Sequence, residues 1–276
     1  SSRLPQDLHQ AVAAGSGTGL VEHHPRDQGF QLRHARVIAV HGSPFGTYEQ
    51  TNQSFELADI QFLPPVIPPT FYCVGINYKD HIIQMAALRG KEPVFPPKAD
   101  IGYRANSALC AHGDPILKPA NSTNAFQYEG ELVVVFGKQA KHLTYDNALD
   151  CVFGYTIGND VSERTWQAED RTLWRAKNSD SFKPMGPWIE TDVNLDEMMT
   201  TVAVNGTVHT KFATNNMIFG IRDYIVEITK YMTIQPGDVM WMGTDGVPSN
   251  MKHGDQVDIT ISGIGTLSNT VIQLSA

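Results

Sequence analysis

The sequence predicts a mixed α/β fold dominated by strands, and three observations carry that reading. Short apolar runs of strand length recur along most of the chain, each bounded by Gly, Pro, Asn or Asp. Helical periodicity is confined to a few stretches. Neither GxGxxG nor GxxxxGK[ST] occurs, and strands do not alternate with helices as βαβ units require. With 276 residues, 41% of them hydrophobic, the chain can bury a full-sized core.

Taken in order, Leu4, Leu8 and Val12 recur at helical spacing, and a Gly-rich break follows. Arg36-Val37-Ile38-Ala39-Val40 reads as a short strand. Leu63 to Pro69 holds four prolines, which break both helix and sheet, so this stretch is read as a linker. It divides a small N-terminal domain, residues 1–65, from a main domain, residues 66–276. Phe71 to Ile76 reads as a buried strand and Tyr78 to Leu88 as a helix. Glu131 to Phe136 and Phe153 to Asn159 are further buried strands. Asn205-Gly206 between apolar flanks signals a hairpin, because this pair supplies the positive φ angles of a tight primed turn. Met217 to Met232 is helical through Ile221, Ile225 and Ile228. Pro236-Gly237-Asp238 and His253-Gly254-Asp255 are turns ahead of strands Val239–Met242 and Gln256–Ser262.

Composition narrows the function. A formal charge of −8 argues against nucleic-acid binding, which calls for a basic face. No run of about 18 apolar residues suggests a membrane span, and the first residues lack the apolar core of a secretory signal. Cys73, Cys110 and Cys151 are odd in number and widely spaced, neither a disulfide framework nor a zinc motif. Buried free thiols in the cytoplasm are the expectation.

Chemistry concentrates in Tyr128-Glu129-Gly130-Glu131-Leu132-Val133-Val134-Val135-Phe136. Residues two apart share a strand face, so Glu129 and Glu131 project together beside Val133 and Val135. Two carboxylates at the end of a buried strand repel each other and lose hydration unless a cation compensates. The bland alternative is a strand end open to water. Asp160, ending the next strand, makes three oxygen donors, a set that suits a hard divalent ion with open positions. Arg164 and Lys177 follow, with Gln167 one helical turn after Arg164. An anionic substrate would need such cations, although surface ion pairs are the commoner use of either. His81 and Gln84 lie three apart on the predicted helix, where His81 can serve as a general base or be merely structural.

The segments VGINYKDH, YEGELVVVFG, GYTIGNDVSERTWQ, RAKNSDSFKPMGPW, PGDVMWMGT and the HGD turn together resemble, in order, the fumarylacetoacetate hydrolase superfamily over residues 70–272. The resemblance implies a β-sandwich roll catalytic domain assembled as a homodimer. It implies Glu129, Glu131 and Asp160 as ligands of Mg²⁺, with Mn²⁺ or Ca²⁺ as alternatives. It places Lys177 near the reacting carbonyl, makes Arg164, Gln167, Tyr78 and Thr244 the substrate-binding set, and gives His81 the role of activating water. The family pattern is H-x-x-E, whereas this chain has Gln84 at the acid position. That reads as divergence toward chemistry without activated water, or as a deliberate exchange that traps substrate. Gln127 also departs from the Asp common before the Tyr-Glu pair, so a contact behind the ligands is expected to change.

The implied activity is hydrolysis of a C–C bond in an acylpyruvate-like 2,4-dioxo acid. The alternatives are a decarboxylase for an oxaloacetate-type 2-oxo acid, or a hydroxydienoate isomerase or tautomerase working through the same enolate. A non-catalytic binding protein on this fold is a third reading. The expected partner is a small 2-oxo acid, with neither nucleic acid nor membrane.

Overall fold

The structure, a computed structural model, describes residues 36–88 and 90–275. The helical spacing at Leu4, Leu8 and Val12 lies outside these residues. Two sheets dominate, as the strand-rich pattern predicts. The larger has seven strands. Its centre is β8 (Gly130–Phe136), flanked by β9 (Val152–Asn159) and β14 (Val239–Trp241). Beyond β14 come β3 (Phe71–Val74) and β4 (Ile101–Tyr103); beyond β9 come β11 (Lys183–Glu190) and β5 (Leu109–Cys110). The second sheet orders β13 (Thr207–Ala213), β12 (Met199–Val204), β15 (Gln256–Ile261), β16 (Gly265–Gln273) and β6 (Ile116–Lys118).

Every residue of β8 is buried, and its two faces serve different cores. Leu132, Val134 and Phe136 join Val202, Val257 and Ile259 of the second sheet in the main core. Val133 and Val135 face the other way and pack with Phe71, Met185, Ile189 and Trp241. The period-2 reading of this strand therefore holds residue by residue. Gly130 is set by the sheet-on-sheet contact, since a Cβ there would lie 2.9 Å from Val202 and 3.0 Å from Ile259. The Glu-Gly-Glu spacing thus puts a glycine against the second sheet and both carboxylates on the opposite side.

Two strands near the N-terminus, β1 (Arg36–Gly42) and β2 (Tyr48–Glu56), form a ribbon of their own. It rests on the main body through Val37 and Leu57 against Trp188, and Phe45 against Phe153. The Asn205-Gly206 turn joins β12 to β13 with φ of 51° and 78°, as the hairpin signal requires. Two short strands, β7 (Phe126–Gln127) and β10 (Ser162–Glu163), pair antiparallel beside the ends of β8 and β9.

Helix α1 (Lys79–Leu88) begins one residue after the predicted start. Helices α2 (Arg164–Glu169) and α3 (Trp174–Asn178) are short, and α4 (Ile221–Tyr231) is the longest among the described residues. The last starts four residues later than its periodicity suggests. Met217 instead bridges to Tyr78, and the Gly220 N–H is taken by the Asp223 carboxylate at 2.8 Å. Among the described residues, no helix is long and apolar enough to cross a membrane. Cys73, Cys110 and Cys151 are free and buried.

Candidate active site

Antiparallel register brings the three acids together. Gly130 pairs with Asn159 and Glu131 with Gly158, so the start of β8 meets the end of β9. The Asn159 side chain accepts the Glu129 N–H at 3.0 Å, and the Asp160 N–H reaches back to the Glu129 carbonyl at 2.9 Å. Glu129, Glu131 and Asp160 are all buried, and each offers an oxygen within 4.8 Å of the others.

Four cations surround these carboxylates. Lys177, on α3, donates to Glu129 Oε2 at 2.5 Å and Asp160 Oδ2 at 2.7 Å. Arg164, the first residue of α2, reaches Glu129 Oε1 at 2.6 Å. Arg104 clamps both oxygens of Asp160, at 3.1 and 2.9 Å, and Lys183 lies 2.6 Å from Asp160 Oδ1. Buried carboxylates hold the short helices in place: Glu163 accepts the Trp166 N–H of α2 at 2.6 Å, and Asp170 accepts the Ala176 N–H of α3 at 3.0 Å.

The compensation is uneven. Burial pushes each acid toward its neutral form. For Asp160, Arg104, Lys177 and Lys183 outweigh burial and hold the carboxyl well below its usual range. Arg164 and Lys177 do the same for Glu129, more modestly. Among the described residues, Glu131 has only the Gly243 N–H, at 2.9 Å, and no ion pair. Burial, followed by the charges of Asp160 and Glu129, pushes it up to about 8. Lys183, fully buried, is pushed down to about 8 by desolvation, with Asp160 pulling it partly back. A divalent ion fits this donor set. Three carboxylate oxygens converge, and Glu131 is the one whose charge awaits a positive neighbour.

Arg164 is pinned from three sides. Besides Glu129, its Nε donates to Gln127 Oε1 and its Nη1 to Gln167 Oε1, both at 2.8 Å. The predicted Arg164–Gln167 neighbourhood is therefore real, one turn apart on α2. His81, half-buried on α1, has its Nδ1 2.7 Å from the carbonyl of Gly246. The intervening loop also carries the Gly243 N–H that holds Glu131, so one turn touches both groups. Thr244, half-buried, sits in this turn with a contact of only 3.5 Å to the Asp245 carbonyl. Buried Asn77 ties the start of α1 to the Met242 carbonyl at 3.3 Å, beside the end of β14.

Two other predicted residues stand apart from this cluster. Tyr78 is fully buried, its hydroxyl given to the Thr214 carbonyl at 2.6 Å and its ring set edge-on to Phe212. Gln84 is exposed and makes no hydrogen bond to His81. Sequence reasoning missed Arg104, Lys183 and Asn77. Lys183 and Asn77 lie inside segments quoted for the resemblance, and a cation in an otherwise apolar strand was the signal available for Lys183.

The model of the fumarylacetoacetate (FAA) hydrolase C-terminal family matches residues 70–272. The oxaloacetate tautomerase YisK of Bacillus subtilis is 33% identical over 229 residues, covering 79% of this chain and 75% of that one. The crystal structure of 2-hydroxyhepta-2,4-diene-1,7-dioate isomerase from Mycobacterium marinum superposes with a TM-score of 0.81 at 34% identity, covering 93% of each chain. Maleylpyruvate hydrolase from Sphingobium sp. SYK-6, in complex with manganese(II) and pyruvate, gives 0.67 at 25% identity, covering 81% of this chain and 78% of that one. A match of this extent shows that this chain belongs to the fumarylacetoacetate hydrolase family.

Proposed function

We propose that the chain is a divalent-metal-dependent enzyme that moves a proton next to the carbonyl of a small 2-oxo acid, as a tautomerase or isomerase. The observation that carries this is the partner of His81, a neutral backbone carbonyl. No carboxylate side chain hydrogen-bonds its ring among the described residues. A base without such support suits a proton taken and returned within one cycle. Water attack builds a longer-lived imidazolium, which an adjacent acid would stabilise.

Held by Glu129, Glu131 and Asp160, a Mg²⁺ ion (or Mn²⁺ or Ca²⁺) supplies Lewis acidity to the 2-oxo acid carbonyl. Arg164 takes the substrate carboxylate, with Gln167 fixing the guanidinium. Lys177 offsets negative charge gathering on the carbonyl oxygen. His81 removes the proton from the adjacent carbon through Nε2 and returns it elsewhere on the enol. The tautomerase and isomerase relatives, each at least 33% identical, support this choice. A homodimer acting in the cytoplasm completes the reading, and the free thiols suit a reducing compartment.

The second reading is C–C hydrolysis of an acylpyruvate-like 2,4-dioxo acid, favoured by the hydrolase bound to manganese and pyruvate. Decarboxylation of an oxaloacetate-type acid would use the same enolising groups. The two leading readings separate in one assay. With Mg²⁺ added, enol-to-keto conversion of oxaloacetate is followed beside consumption of an acylpyruvate. Accelerated conversion that is lost in His81→Ala supports the proposal. Acylpyruvate cleavage without accelerated conversion replaces it with the hydrolase reading.

A further inference from the structure

Arg164 has five N–H donors, and three are used, by Gln127, Gln167 and Glu129. Two donors remain. The Arg164 side chain is 23% exposed, against 10% or less for Arg104, Lys177 and Lys183. It is the cation of the cluster that an arriving anion can reach.

Two of its three anchors are amides. Gln127 is held opposite Ser162 by the β7–β10 ladder, which also fixes Arg164 through its N–H to the Ala125 carbonyl at 2.8 Å. The other end of the Gln127 amide donates to Asn250 Oδ1 at 2.8 Å. That bond sets the direction of the amide, so its oxygen faces Arg164 Nε. The guanidinium is therefore oriented from this side without being neutralised. Around the site, three carboxylates (Glu129, Glu131, Asp160) face four cations (Arg104, Arg164, Lys177, Lys183). A carboxylate at position 127 would make the count four and four, with the added charge on the one reachable cation.

We propose that Gln127 is a specificity-determining residue, whose neutral amide pins Arg164 while leaving its charge for a substrate carboxylate. This rests on the 2-oxo acid reading above. An acid there would hold Arg164 in the same place and compete for its charge, penalising dianionic ligands more than monoanionic ones.

The test uses Gln127→Glu, which adds a charge with almost no change of volume, and Gln127→Leu, which removes the pin without adding one. Calorimetry at saturating Mg²⁺ measures binding of oxalate, a dianion, and oxamate, a monoanion. A separate Mg²⁺ titration confirms loading. Gln127→Glu is expected to weaken oxalate on the order of ten- to a hundred-fold and oxamate less. Gln127→Leu should weaken both alike. Oxalate binding in Gln127→Glu equal to that of the unaltered protein overturns the inference alone. If the unaltered, Mg²⁺-loaded protein binds neither anion, the 2-oxo acid reading fails and this inference falls with it.

Discussion

The Nδ1 of His81 and the carbonyl oxygen of Gly246 lie 2.7 Å apart. A carbonyl only accepts, so Nδ1 carries the hydrogen and Nε2 keeps a free lone pair. The backbone thus fixes the tautomer that a base requires. Replacing His81 with Ala should lower turnover by about 10²–10⁴-fold. Gln84→Ala should cost less than about three-fold, because an exposed amide without a bond to the ring sets neither its tautomer nor its orientation. Steady-state kcat for both variants decides this, and equal losses would return Gln84 to the mechanism.

Glu131 differs from its two neighbours in having no ion pair among the described residues, and its carboxyl is pushed up to about 8. A carboxyl raised in the folded state stabilises at low pH, and that contribution is lost as pH rises through the folded value. Glu131→Gln keeps an oxygen for the Gly243 N–H and removes the charge. Without metal, this variant should match the unaltered protein in stability below about pH 4.5, exceed it increasingly as pH rises toward about 8, and keep a constant advantage above that. Its melting temperature should be unmoved by Mg²⁺. The unaltered protein should gain about 2.7 kcal/mol at a hundred-fold excess of Mg²⁺ over its Kd. Thermal melts with Mg²⁺ or a chelator check both statements, and a full Mg²⁺ response in the variant would remove Glu131 from the ligand set.

Much of this was legible where the signal is local. The alternation in β8 told which residues face which core, and the Asn205-Gly206 turn declared its own geometry. Arg164 and Gln167 were neighbours by helical spacing. What stayed hidden depends on distant pairing. Arg104 follows a three-residue strand without periodicity, and its partner Asp160 is 56 residues away. Tyr78 carries an hydroxyl that sequence alone assigns to a substrate, yet the chain from Thr214 to Met217 folds over it and uses that group. The start of α4 was misjudged because Met217 fits the helical period while its backbone is already bridged to Tyr78.

Lys183 and Arg164 both meet the acidic cluster, yet their removal should fail in different ways. Lys183 is fully buried and also donates to the Phe182 carbonyl at 2.8 Å. Lys183→Met takes a partner from Asp160 and a donor from that carbonyl, and should cost about 3–5 kcal/mol of folding stability. Arg164→Met, at a partly exposed position, should leave stability within about 1 kcal/mol and chiefly raise KM. Urea denaturation beside steady-state kinetics distinguishes them. A Lys183→Met protein as stable as the unaltered chain would mean that Arg104 and Lys177 suffice to hold Asp160.

His112 offers a pH test away from the acids. Its Nδ1 accepts the Ser268 N–H at 3.1 Å, and its ring stands edge-on to Phe62 at 4.9 Å. Burial lowers its pKa from the usual value near 6.5, and Asp258 only partly restores it. The folded state therefore prefers neutral imidazole. Its contribution is complete above about pH 6.5 and is lost as pH falls toward the lower folded value. Protonation also ends the bond to Ser268, since Nδ1 then has no lone pair. His112→Asn supplies a carbonyl oxygen in place of Nδ1 and cannot titrate. Between about pH 7.5 and 5.5 the unaltered protein should lose more stability than this variant. Identical pH profiles of unfolding would show that the imidazole is not held neutral by the fold.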